Sequence, residues 1–130
     1  NQPLFIVGKK GSGKTHLLQS IIHDEANIDE TTRVAYFDVN SESSTGYLNS
    51  IRVAGRSDVL AIDNVEGADR DVITMIRERI FKGKRTIISV DEKSSLIGLG
   101  LSDLLSKRTT LELSKTELKL EPQISSAKAC

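Results

Sequence analysis

Eight residues near the start of the chain carry its plainest chemistry. Gly8-Lys9-Lys10-Gly11-Ser12-Gly13-Lys14-Thr15 fits G-x-x-x-x-G-K-[ST] at every fixed position. The glycines let the backbone turn sharply and approach phosphate oxygens closely. The N–H groups of the loop, and of a helix opening at Thr15, then point at an anion. Lys14 is placed to reach the β- and γ-phosphates, and the Thr15 hydroxyl to hold Mg²⁺. The ligand expected is ATP or ADP with Mg²⁺, with Gly8, Gly11, Ser12, Gly13, Lys14 and Thr15 binding it.

Asp63 ends the apolar run Val59-Leu60-Ala61-Ile62. A carboxylate at such a strand end, downstream of a phosphate loop, holds the Mg²⁺ shell, usually through water. Asn64 follows where many ATPases place a glutamate that activates the attacking water. An amide can orient water but cannot take its proton. Turnover by this chain alone is therefore expected to be slow. Glu66 stands close by and reads as a solvated loop carboxylate.

These residues need strands and helices to hold them. Short apolar runs read as buried strands at Leu4–Val7, Val34–Phe37, Val59–Ile62 and Thr86–Val90, with a weaker one at Thr109–Leu113. Leu17, Leu18, Ile21 and Ile22 mark one face of a helix from Thr15 to about Glu25. Residues 27–32 read as a loop, and a short, weak helix is expected over Tyr47–Arg52. Val72, Ile73, Ile76 and Ile80 predict a helix over Asp69–Phe81, stopped by Gly83. Leu101–Arg108 is expected to form a further helix with Ser102 as its N-cap.

Strands and helices thus alternate, which means an α/β three-layer P-loop core built on a parallel sheet. Five strands in the order 5-1-4-3-2 are expected. Gly8, Asp38, Asp63 and Asp91 all fall at carboxyl ends of strands, where ligands of open sheets sit. The extra strand unit at 34–38, between Lys14 and Asp63, suits additional-strand P-loop ATPases better than nucleoside kinases. Residues 1–113 form the expected domain and 114–130 a linker or disordered tail, with Leu118–Leu120 as a possible edge strand.

Composition agrees with this class. The chain has 130 residues, 38% apolar and 28% charged, with 18 basic against 18 acidic side chains. That length supports one sizeable core. No apolar run approaches the roughly 18 residues a membrane helix needs, and the first residues do not read as a secretory signal. Zero net charge argues against a dedicated surface for non-specific DNA binding. Direct DNA binding by this chain alone is not expected. The single cysteine, Cys130, suits a reducing cytoplasm.

The residues carry a family resemblance. Asn1-Gln2-Pro3-Leu4-Phe5-Ile6-Val7-Gly8, running into Gly13-Lys14-Thr15-His16-Leu17-Leu18, resembles the start of the AAA+ domain of DnaA, the bacterial replication initiator. Ile62-Asp63-Asn64-Val65-Glu66 is more similar to the Walker B stretch of the DnaA-related regulator Hda, where Asn also replaces the second acid. Leu99-Gly100-Leu101-Ser102-Asp103-Leu104-Leu105-Ser106 resembles the Hda segment leading into the arginine finger. The similarity covers residues 1 to about 113.

That resemblance implies roles beyond the phosphate loop. Asp91 matches the sensor I position, where a polar side chain contacts the γ-phosphate or its water. Arg108, or Lys107 by ungapped match, takes the place of the finger that acts on ATP held by a neighbouring subunit. The implied partner is another AAA+ subunit, a DnaA-like initiator or a second copy. A sliding-clamp contact would need a segment beyond these residues. The implied function is regulation of replication initiation; a helicase loader, a transposase helper ATPase and a non-catalytic nucleotide-gated module are the alternatives. The departures are specific. Glu92-Lys93 stand where DnaA has Arg-Pro, and Thr109-Thr110 where Trp-Gly usually follows the finger. A helical lid with its sensor II arginine is expected to be absent from these residues.

The remaining features read as structural. His16 and His23 lie seven residues apart on one helix face, too far to chelate one metal. Lys82, Lys84 and Arg85 read as a solvated turn at a helix C-terminus.

Overall fold

Apolar runs without polar alternation fold as central strands of a parallel sheet covered on both faces. In the computed structural model, which describes residues 3–40, 47–104 and 110–113, they do so. The strands are β1 (Leu4–Val7), β2 (Val34–Asp38), β3 (Val59–Asp63), β4 (Arg85–Val90) and β5 (Thr110–Glu112). All pair in parallel, in the order β2-β3-β4-β1-β5. This is the expected 5-1-4-3-2 arrangement, read from the other edge. Strand β4 lies between β1 and β3, so the phosphate loop and Asp63 leave strands that are not neighbours.

Alternate residues feed two cores. Ile6, Ala61 and Ile87 point to one face and pack with Leu18 of α1 (Lys14–Ile28). Phe5, Val7, Leu60, Ile62, Ile88 and Val90 point to the other. There they meet Ala54 of α2 (Tyr47–Arg56), Val72 and Ile76 of α3 (Arg70–Phe81), and Leu96 of α4 (Lys93–Gly98).

Helix ends follow local chemistry. The Asp69 side chain accepts the Val72 N–H at 3.1 Å and caps α3. At its other end Gly83, at φ 75°, lets Lys84 N–H reach Arg79 O at 2.9 Å and close the helix. Helices α1 and α2 run to Ile28 and Arg56, further than their sequence patterns indicate.

One expectation is corrected. The segment from Leu101 does not open as a helix capped by Ser102. The helix lies earlier, at Lys93–Gly98, and Ser102–Leu104 is a single 3-10 turn. Gly100, at φ 74°, is the reason. Its N–H bonds Ile97 O at 3.1 Å, and Leu101 N–H bonds Leu96 O at 2.9 Å, a glycine-closed helix end with Leu96 and Leu101 both buried. Residues 105–108 of the expected helix, the tail from residue 114 and its edge-strand segment lie outside the described residues.

Candidate nucleotide-binding site

The phosphate loop leaves β1 at Gly8, whose N–H donates to Val90 O at 3.1 Å. A Cβ at Gly8 would run into the Ser12 hydroxyl, so no side chain fits there. Gly11 and Gly13 stand at φ 86° and 93°, a region that L side chains rarely adopt. Helix α1 then begins without a side-chain cap and without an acid in its first turn. Its first backbone bond runs from Leu17 N–H to Gly13 O at 2.9 Å. The preceding N–H groups have no intrahelical partner and carry the positive end of a 15-residue helix. The Ser12 hydroxyl is buried inside the turn without a hydrogen-bond partner among the described residues.

Asp63 is fully buried at the end of β3. Thr15 Oγ1 and Tyr36 Oη each donate to its Oδ2 at 2.7 Å. Ser89 Oγ donates to Oδ1, which also accepts the Asn64 N–H at 3.1 Å. Burial pushes the Asp63 carboxyl up, but the Ser89, Thr15 and Tyr36 hydroxyls and the charge of Lys14 outweigh it and hold the group below the usual carboxylate range. The same contact, after burial, pushes the Tyr36 phenol well up. Sequence reading missed Tyr36 and Ser89. Their signal appears only with strand order: Asp38 sits opposite Asp63 in register, so Tyr36 shares the face of the Walker carboxylate two residues earlier.

Asn64 is the one non-glycine residue at positive φ (59°) among the described residues. Its backbone N–H also reaches Ser89 Oγ at 2.9 Å, and its side-chain amide donates to Asp38 Oδ1 at 2.8 Å. The left-handed turn leads into a 3-10 turn, Val65–Gly67, pinned by the fully buried Val65. Glu66 Oε1 accepts the Asp91 N–H at 3.1 Å. Asp91 Oδ1 in turn accepts Ser95 Oγ at 2.7 Å and the Glu92 N–H at 2.8 Å.

A cleft of about 940 Å³ is lined by Gly11, Gly13, Lys14, Thr15, Asn64, Glu66 and Asp91. Asp63, Ser12 and Gly8 are buried. The structure therefore brings together every residue singled out in sequence for nucleotide, metal or water, except the basic finger. Arg108 and Lys107 lie outside the described residues. His16 lines the same cleft, whereas His23 pairs with Asn27 at 3.2 Å. Lys82, Lys84 and Arg85 lie at or before the start of β4, whose other end carries Val90 beside the loop.

Comparison with known proteins fixes the family. A profile of the bacterial DnaA ATPase domain matches residues 1–114. The chain belongs to the bacterial DnaA ATPase domain family. It is 31% identical, over 124 residues, to the chromosomal replication initiator protein DnaA of Francisella philomiragia, covering 83% of this chain and 25% of that protein. It thus spans about a quarter of that relative's length. Domain III of the replication initiation protein DnaA of Thermotoga maritima superposes with a TM-score of 0.57 at 26% identity, over 85% of this chain and 54% of the other. A replication initiator DnaA bound to AMPPCP and single-stranded DNA superposes with a TM-score of 0.63 at 21% identity, over 93% and 45%. The α/β fold with its five-stranded parallel sheet is shared with a DNA replication initiation factor, TM-score 0.62 at 19% identity, and with the DnaC helicase loader, TM-score 0.56 at 23% identity.

The DnaA-type domain fits a magnesium nucleotide on its own geometry. The glycine turns, the uncapped helix start and the orphaned Ser12 hydroxyl form a cradle for phosphate oxygens. Thr15 and Asp63 offer the hard oxygen donors that Mg²⁺ takes.

Proposed function

We propose that the cleft binds ATP or ADP with Mg²⁺ and that the chain regulates replication initiation through contact with another AAA+ subunit. The observation that carries the nucleotide reading is the Thr15–Asp63 hydrogen bond, which joins the start of α1 to the end of β3. Lys14 sits 7% exposed beside it. In this reading the loop N–H groups and Lys14 hold the phosphates, while Thr15 and Asp63 hold Mg²⁺. The metal supplies charge neutralisation at the transferring phosphate. Asp91 contacts the γ-phosphate or its water. The family supports the initiation role, since the full-length relatives are chromosomal replication initiators.

Arg108, or Lys107, would then be presented to ATP held by the neighbouring subunit, as the Hda resemblance implies. Arginine is the better candidate because its planar fork matches phosphate oxygens in pairs. A cytoplasmic setting follows from that role. A second reading, a non-catalytic nucleotide-gated module, is favoured by Asn64, whose amide is tied to Asp38. The test is ATP hydrolysis by a DnaA-like initiator with this chain added. Stimulation that Arg108→Ala abolishes, with this chain's own nucleotide affinity intact, supports the regulatory reading. Nucleotide binding without any stimulation supports the gated module.

A further inference from the structure

The Walker B stretch lacks the acid that would take a proton from the attacking water, because Asn64 occupies its place. Asn64 does not substitute for it. Its amide N–H₂ donates to Asp38, and its backbone is turned into the left-handed region. That turn delivers the next carboxylate, Glu66, to the wall of the same cleft. Glu66 is half-buried, unlike a solvated loop carboxylate. Its Oε1 is fixed by the Asp91 N–H at 3.1 Å, and its Oε2 has no protein partner among the described residues. Lys14 and Thr15 line the same cleft from the phosphate loop.

We propose that Glu66 is the general base of this domain, standing in for the acid absent at position 64. The inference rests on the reading that the cleft holds Mg²⁺ and ATP. The carboxylate takes a proton from water. The water oxygen bonds to the γ-phosphorus, and the bond to the β,γ-bridging oxygen breaks with its electron pair leaving on ADP. Inorganic phosphate is the other product, and Glu66 returns its proton to solvent. The neighbouring Asp91 holds Glu66 through its backbone N–H, while its Oδ1 accepts from Ser95 Oγ and the Glu92 N–H.

Glu66→Gln tests this cleanly, because the amide oxygen still accepts from Asp91 N–H and leaves the anchoring intact. Single-turnover hydrolysis with the full chain in excess over Mg²⁺-ATP is followed beside calorimetric ATP affinity. The expected result is an affinity within about twofold of the unaltered chain and a rate lower by on the order of 10²–10⁴-fold. An anchoring role alone would leave the Gln variant at full rate. A Glu66→Gln rate within about threefold of the unaltered chain overturns the assignment. So does an unaltered chain that binds ATP, loses it on Lys14→Ala, and hydrolyses none. Absence of ATP binding is a different failure, and removes the nucleotide reading itself.

Discussion

Thr15 Oγ1 donates to Asp63 Oδ2 at 2.7 Å across 48 positions of sequence. The two residues follow β1 and end β3 on opposite sides of β4, so they meet only when β1, β4 and β3 lie side by side. The contact places both oxygen donors of the proposed magnesium site in one spot. It also explains why the carboxyl stays ionised though fully buried: the hydroxyl donors stabilise its charged form.

Tyr36 donates to the same Asp63 oxygen as Thr15. Tyr36→Phe removes that donor without removing the ring. The folded state is expected to lose about 1 kcal/mol in urea unfolding. Nucleotide affinity in EDTA should be unchanged, while the gain in affinity on adding Mg²⁺ should shrink. Equal losses with and without Mg²⁺ would show that Tyr36 does not orient Asp63 toward the metal.

Arg79 is 2% exposed, and among the described residues its hydrogen bonds go to carbonyls and hydroxyls, with the charge of Asp58 acting on it without a direct contact. Its guanidinium donates to the carbonyls of Gly55 at 3.1 Å, Ser57 at 2.7 Å and Arg85 at 2.7 Å, and to Thr86 Oγ1 at 3.1 Å. It ties the end of α2 to the start of β4. Arg79→Ala takes these donors away together and should cost about 3 kcal/mol or more of stability. Arg79→Lys should restore little, because an ammonium cannot span the fork. Nucleotide affinity of the folded fraction should not change, since these contacts lie at the end of the sheet away from the phosphate loop.

The Arg77–Asp103 pair, at 3.1 Å, fastens the 3-10 turn at Ser102–Leu104 to α3. The Arg77 hydrogen bond, with its charge, holds the Asp103 carboxyl below its usual range against an opposing push from burial. The folded state therefore binds this proton less readily than the unfolded one. Its stabilisation is present above the unfolded value of about 3.9 and is lost as pH falls through the lower folded value. The melting-temperature gap between the unaltered chain and Asp103→Asn should close between pH 5 and pH 2. It should also narrow in about 1 M salt at neutral pH, because both groups are exposed. A gap independent of pH would rule the ion pair out as its cause.

The fold was legible because β1 to β4 each carry a short apolar run that ends at a glycine or an aspartate, and α1 and α3 carry their apolar faces at the right spacing. The phosphate loop and Asp63 were legible because their chemistry demands fixed residue types at fixed places. What lay beyond the sequence depended on tertiary neighbours. Tyr36 and Ser89 touch Asp63 only once β2, β3 and β4 are ordered side by side. Arg79 was not singled out in sequence, because its carbonyl partners at the end of α2 and the start of β4 come together only in the fold. Glu66 reads as solvated until Asp91 N–H is found on it. The α4 boundary was the exception: Gly100 carried the signal for a helix ending before it, and the leucines after it pointed the other way.

Calorimetric titration with Mg²⁺-ADP and Mg²⁺-ATP shows whether the phosphate loop is a working site. Micromolar or tighter binding is expected, abolished by Lys14→Ala while the variant remains folded. An unaltered chain that binds neither nucleotide, or a Lys14→Ala variant that binds as well as the unaltered chain, would contradict it.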